Sequence, residues 1–175
     1  MTLMSQRTGG LTMWETVPRL LAQHRYLVLG TADGEGRPWA SPVFFAADGP
    51  HRILWVSSPD SRHSRNIAAR PEVAITVFDT AAPVGGAEAV YLEATAGPAP
   101  DDARAADLAS LNTRLPTGHQ LVPKDLGPAG PLLVYQATVP RHFVLIRGGD
   151  ARFDNVTDAR LVVFPPDPEH STHTT

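Results

Sequence analysis

The stretch Ile53–Asp79, ILWVSSPDSRHSRNIAARPEVAITVFD, shows three patterns in succession. It opens on an apolar run, Ile53 to Val56, that reads as a buried strand. From Glu72 it enters an alternating segment rich in β-branched residues that continues to Thr80 and predicts a second strand. Between them, Ser57 to Pro71 holds four serines, three arginines and one histidine in fifteen residues. The whole chain carries a formal charge of −3, so this basic segment is not part of a general basic bias. Ser58 can serve as an N-cap, with Pro59 at the first helical position and Asp60 in the first turn. A helix is expected to run from there to about Ala69, ended by Pro71.

A helix that starts at a strand exit exposes unpaired backbone N–H groups, and such a terminus favours an anion, phosphate above all. Ser61 and Ser64 can add hydroxyl donors, while Arg62 and Arg65 add charge. Helical spacing puts Arg65 close to both sets, and arginine can grip phosphate bidentately. The plainer alternative is a well-capped surface helix with solvated arginines. Asp60 would repel phosphate unless it only caps the helix.

Working outward from this segment, WETVPRLLAQHRY predicts a short helix over about 13–24, with Pro18 in its first turn, where a missing N–H matters least. YLVLGTA (26–32), PWASPVFFA (38–46) and RILWVSS (52–58) predict an antiparallel meander joined by turns rich in Gly and Asp. Pro42 lies inside the second of these strands, which argues for an edge, a bulge or a close ligand. Further strands are expected over 88–99, over 132–148 as one or two strands broken near Pro140, and over 159–165, with ARFDN (151–155) as another short candidate. A helix is expected over 100–115. Residues 1–11 and 166–175 are expected to be disordered, flanking one domain over 12–165. Six or more short strands, with helices that do not alternate regularly with them, indicate a mainly antiparallel β barrel or sandwich.

With 175 residues the chain is long enough to bury its own core. The near-neutral balance leaves no electrostatic footprint for nucleic acid or an anionic membrane. No stretch approaches the roughly 20 apolar residues of a membrane helix, and no signal-peptide pattern opens the chain. Cytoplasmic localisation is the expectation. The absence of cysteine excludes disulfides, thiolate metal sites and a cysteine nucleophile.

The chain resembles the FMN-binding split-barrel superfamily, the pyridoxamine 5′-phosphate oxidase-like flavoproteins, and in particular their actinobacterial flavin- and deazaflavin-dependent oxidoreductases. The resemblance runs through LGTADGEGRPWASPVFFA, ILWVSS and SRHSRNIAARPEVAITVFD, about residues 14 to 96. It implies a Greek-key split β-barrel with a few short helices. It also implies a homodimer with cofactor sites at the interface, and an oxidoreductase acting on a small-molecule substrate with FMN or the deazaflavin coenzyme F-420. Ser57 and Ser58 would line the cofactor at the strand end. Arg62, Ser64 and Arg65 would hold its phosphate, and Ser61, His63 and Asn66 belong to the same motif. Ala40, Ser41, Pro42 and Val43 would lie along the isoalloxazine, giving Pro42 a reason to interrupt the ladder. His63 stands where deazaflavin-binding relatives often carry lysine, which leaves FMN and F-420 both open. The C-terminal arginine- and histidine-containing signature of true pyridoxamine-phosphate oxidases is absent, so oxidation of that vitamer is not expected.

Other motifs carry less. The seven histidines show no paired metal-ligand spacing, and HSTH (170–173) lies in the polar tail. His142 reads as structural, although His63 and His142 keep a haem-binding alternative open, as a non-catalytic sensor or carrier on the same fold. No side chain stands out as a catalytic acid or base. The loop TGHQLVPK, with His119 and Lys124, reads as a solvated connection that could border the flavin. Trp14, Trp39 and Trp55 read as core or dimer-interface residues.

Overall fold

The computed structural model describes residues 13–126 and 130–166. The segment 1–11 and the tail from 167 onward, both expected to be disordered, lie outside the described residues, as does HSTH. In chain order the elements are helix α1 (Thr16–Gln23), strands β1 (Tyr26–Ala32), β2 (Pro38–Phe44), β3 (Ala46–Ala47) and β4 (Arg52–Ser57), then helix α2 (Arg62–Ala69). There follow β5 (Glu72–Phe78), β6 (Ala89–Pro98), helix α3 (Arg104–Asn112), β7 (Leu133–Ile146) and β8 (Ala159–Val163). The strands form one antiparallel sheet in the order β2-β1-β5-β6-β7-β4-β3, with β8 pairing to β7. The sheet curls into a half-barrel with short helices around it, the mainly β fold expected.

The expected meander holds fully in its first hairpin and, in the second, only through Ala46–Ala47. β1 pairs with β2 from Tyr26↔Phe44 to Ala32↔Pro38. β4 does not continue from β2; it pairs with the two-residue β3 and along its whole length with β7. The reason is burial on both faces. Ile53 and Trp55 point into the main core with Leu27, Leu29 and Phe45, while Leu54 enters a second cluster with Leu108, Leu111 and Val134. β2 is thereby left at the end of the sheet, which accounts for Pro42 in regular register opposite Val28.

Pro140 does not break β7. Between the pairs Glu93↔Arg141 and Thr95↔Thr138 the register shifts, so Val139 and Pro140 oppose the single residue Ala94. At the same point β7 changes partner on its other edge, from β4 (through Thr138) to β8 (from His142). A residue without an N–H costs no ladder bond at such a bulge. ARFDN forms turns, not a strand. Helix α1 holds Pro18 in its first turn, as expected, and buries Val17, Leu20 and Leu21. Trp14 and Trp55 are core residues.

The sheet also buries charge. Asp107 of α3 is 1% exposed and accepts two hydrogen bonds from Arg52, at 2.6 and 2.8 Å. Arg52 also donates to Gln136 (2.8 Å) and Asp48 (3.1 Å), so both charges are fully engaged.

Candidate functional site

The site begins where β4 ends. Ser57, its last residue, is buried, and the chain turns through Ser58, Pro59 and Asp60 before entering α2. That turn is closed by the Ser61 N–H donating to the Ser58 carbonyl (3.1 Å), while Ser58 Oγ accepts from the Asp60 N–H (3.2 Å). The N-cap is therefore Ser61, not Ser58. Ser61 has extended backbone angles, and its Oγ accepts from the Ser64 N–H (3.3 Å). Pro59 sits inside the turn, where its fixed φ is equally suitable, so the helix starts three residues later than its first serine suggests.

This arrangement gathers the serines. Ser61 Oγ lies 2.8 Å from Ser64 Oγ and 3.0 Å from Ser57 Oγ, and Ser64 Oγ lies 3.3 Å from Ser57 Oγ. His63 joins them, its Nε2 2.8 Å from Ser57 Oγ. Burial holds the His63 pKa below its ordinary value of 6.5. The N–H groups of Arg62 and His63, at the first turn of α2, have no protein acceptor among the described residues.

The two arginines expected at this cluster are engaged beside it. The Arg62 guanidinium lies over the Trp39 ring, 4.2 Å from its centroid. Arg65 donates to the Asp60 carbonyl. Asn66 turns inward, is 4% exposed, and donates to Thr31 Oγ1 (2.9 Å), which in turn donates to the Trp39 carbonyl (3.3 Å). Asn66 thus ties α2 to β1 and β2. Thr31 and Trp39 were not singled out for this region by the sequence reading. The one available signal was Thr31, a polar residue on the inward face that Leu27 and Leu29 define by alternation.

On β2, Ser41 and Val43 point inward and are buried, while Ala40 and Pro42 are exposed on the outer face. The four residues therefore do not share one surface. Ala40 belongs to an open, largely apolar groove of ≈ 780 Å³ that also includes Gly30, Ala32, Trp39 and Ala74. In register, Ala40, Gly30 and Ala74 lie side by side across β2, β1 and β5. A Cβ added at Gly30 would come within 3.2 Å of the Ala74 carbonyl oxygen, so glycine keeps this surface flat.

The two histidines open to a haem reading are both tied. His142 is 2% exposed, bonds through Nε2 to the Pro50 carbonyl (2.8 Å) and packs edge-on against Trp14. Its pKa is also held down, chiefly by burial. Among the described residues no cluster of three metal-ligating side chains occurs, and no helix is long and apolar enough to cross a membrane.

The profile of the pyridoxamine 5′-phosphate oxidase family matches residues 13–138, well over half of the chain, and the protein belongs to that family. No curated protein matches it. Solved structures of similar fold include a haem storage protein from Vibrio cholerae, 19% identical over 74% of this chain and 92% of that one, with a TM-score of 0.60. An F-420 reductase is 23% identical over 71% and 93% of the two chains (TM-score 0.54). A FAD-binding protein from Mesorhizobium loti is 16% identical over 73% and 90% (TM-score 0.56). At these identities the likeness concerns the fold. The actinobacterial subtype is not resolved by it.

Proposed function

We propose that the protein is a flavin-dependent oxidoreductase using FMN or F-420 and acting on a small organic substrate, as a homodimer in the cytoplasm. The observation that carries this reading is the donor set at the strand exit. Three hydroxyls and an imidazole meet there next to two helix N–H groups that have no acceptor among the described residues, and among those residues no carboxylate bonds to the hydroxyls. That set fits the oxygen acceptors of a phosphate. Arg62 and Arg65 are within one helical turn and can exchange their present contacts for it.

The chemistry a bound flavin supplies is hydride transfer at N5, or at C5 of a deazaflavin. The role of this chain's residues is to hold and orient. Ser57, Ser61 and Ser64 bind, Asn66 fixes α2 against the sheet through Thr31, and the outer edge of β2 offers backbone groups with no strand beside them. The flat groove around Gly30 and Ala40, rimmed by the exposed Trp39, supports a second subunit closing over the site.

A non-catalytic flavin or haem carrier is the second reading, favoured by the haem storage protein among similar folds. The visible spectrum of protein from its native host separates these. Bands at roughly 370 and 450 nm indicate FMN, one band at roughly 420 nm the deazaflavin, and a sharp Soret band haem. Turnover with reduced nicotinamide or reduced deazaflavin then distinguishes enzyme from carrier. A colourless protein that binds none of the three on titration would sink the cofactor reading.

A further inference from the structure

Helix α1 ends against an arginine from much later in the chain. Arg114, two residues beyond α3, donates through Nη1 to the Leu21 carbonyl (2.9 Å) and through Nη2 to those of Ala22 (3.4 Å) and His24. Its guanidinium also lies over the Phe45 ring, 4.9 Å from the centroid. Carbonyls at a helix C-terminus attract a cation, so these contacts have a structural use. They do not balance the charge. Arginine has five N–H donors, of which three are used here, and the partners are neutral dipoles. Among the described residues no carboxylate pairs with Arg114.

Arg25 adds a second positive charge. It is exposed, follows α1 closely, and lines the same basin of ≈ 590 Å³ as Arg114, between the ends of α1 and α3. No acidic residue lines that basin, and among the described residues no carboxylate pairs with Arg25. Burial, and then the charge of Arg25, hold the Arg114 pKa below its ordinary value, although arginine stays charged at any working pH. Arg114 and Ala22 also line a second, smaller cavity of ≈ 200 Å³. Its other walls include Pro18, Leu21, Ala47 and Pro50, and Arg114 is its one charged residue. An apolar cavity of about 150 Å³ holds a benzene ring, so one ring or a short alkyl chain fits here.

We infer that the junction of these two cavities binds a small carboxylic acid with a ring-sized apolar body, its carboxylate between Arg114 and Arg25 and its body in the slot beside Pro18 and Pro50. One molecule then meets both needs. The anion relieves two like charges that share a basin without a counter-charge, and the body covers apolar walls. Arg114 is already held by three carbonyls and a ring, so binding does not have to order it. The inference goes beyond the flavin reading and shares no residue with it.

Calorimetric titration of the full chain with benzoate, acetate and benzamide tests the two parts separately. Acetate keeps the carboxylate and lacks the body, while benzamide keeps the body and lacks the charge. Benzoate should bind most tightly, acetate at least about tenfold more weakly and benzamide at least about fivefold more weakly. Arg25→Gln, at an exposed position, should weaken benzoate by about threefold to fivefold and leave benzamide unchanged. Ala22→Leu, also exposed and lining both cavities, should weaken benzoate and benzamide together by crowding the passage between them. Circular dichroism checks that both variants fold. No benzoate binding at millimolar concentration, equal affinity for benzoate and benzamide, or benzoate binding that both substitutions leave unchanged would overturn the inference. The flavin reading stands or falls independently of each result.

Discussion

Strand β4 ends in a polar cluster at each terminus, and the two are built on opposite principles. At its start, Arg52 meets Asp107, Gln136 and Asp48, and each charged group has an opposite charge or an amide against it. At its end, Ser57 meets Ser61, Ser64, His63 and the Ser58 carbonyl, with no charged partner, and the N–H groups of Arg62 and His63 have no acceptor among the described residues. The first cluster joins α3 to the sheet and leaves nothing to offer a ligand. The second has donors in reserve. Saturation, more than polarity or burial, separates a structural knot from a candidate binding site.

Breaking the first cluster should cost most. Asp107→Ala leaves Arg52 half-buried without its bidentate partner, and denaturant unfolding should show a loss of about 3 kcal/mol, at the lower end for a broken buried pair because Arg52 is partly solvated. Affinity for FMN in the folded fraction should be unchanged. A selective loss of FMN binding would join the two ends of the strand and dissolve the distinction.

Acid should act through two histidines, His63 at the second end and His142, which bonds the Pro50 carbonyl. The pKa values of His63 and His142 are lowered in the folded protein, by burial first in each case. As pH falls below their ordinary value of 6.5, the unfolded chain takes up protons that the folded chain does not. Stability should therefore be full above about 6.5 and decline as pH drops toward the folded pKa values, by no more than about 1.4 kcal/mol per pH unit for each histidine. His63→Gln should remove part of this slope and leave the portion due to His142. A slope unchanged by that substitution would place the acid sensitivity wholly at His142.

The smallest effect belongs to Trp39→Leu, which removes the stacking partner of Arg62 at an exposed position. The loss should stay within about 0.5–1 kcal/mol in thermal or denaturant unfolding. A loss as large as that at Asp107 would mean that the hydroxyl end is fastened as firmly as the ion-paired end.

Much of this architecture was legible in the chain. Strands over β1, β2, β4, β5, β6 and β8 follow from alternation or apolar runs bounded by turns, and the serine–arginine segment announces itself by composition. The resemblance groups Ala40 to Val43 along one ring, but the strand's period of two sends Ser41 and Val43 inward and Ala40 and Pro42 outward. The N-cap was misplaced because Ser58 and Ser61 both fit the local rule, and backbone angles chose between them. The role of Asp107 was invisible, since an aspartate in a helix of ordinary polarity shows its partner only once Arg52, fifty-five residues earlier, is beside it.

By itself the sequence determined what is local. It set which segments are strands, and it set that Ser61, Ser64 and Arg65 would be neighbours, because helical geometry places residues three and four apart on one side. Tertiary structure decided what is distant. It gave β4 to β7 and not to β2, put Pro140 at a bulge where no N–H was needed, and laid Arg62 on Trp39. It also closed Ser57 against His63. Short-range contacts follow from backbone periodicity, which residue type biases directly. Long-range contacts follow from which buried faces find each other, and that choice belongs to the whole core at once.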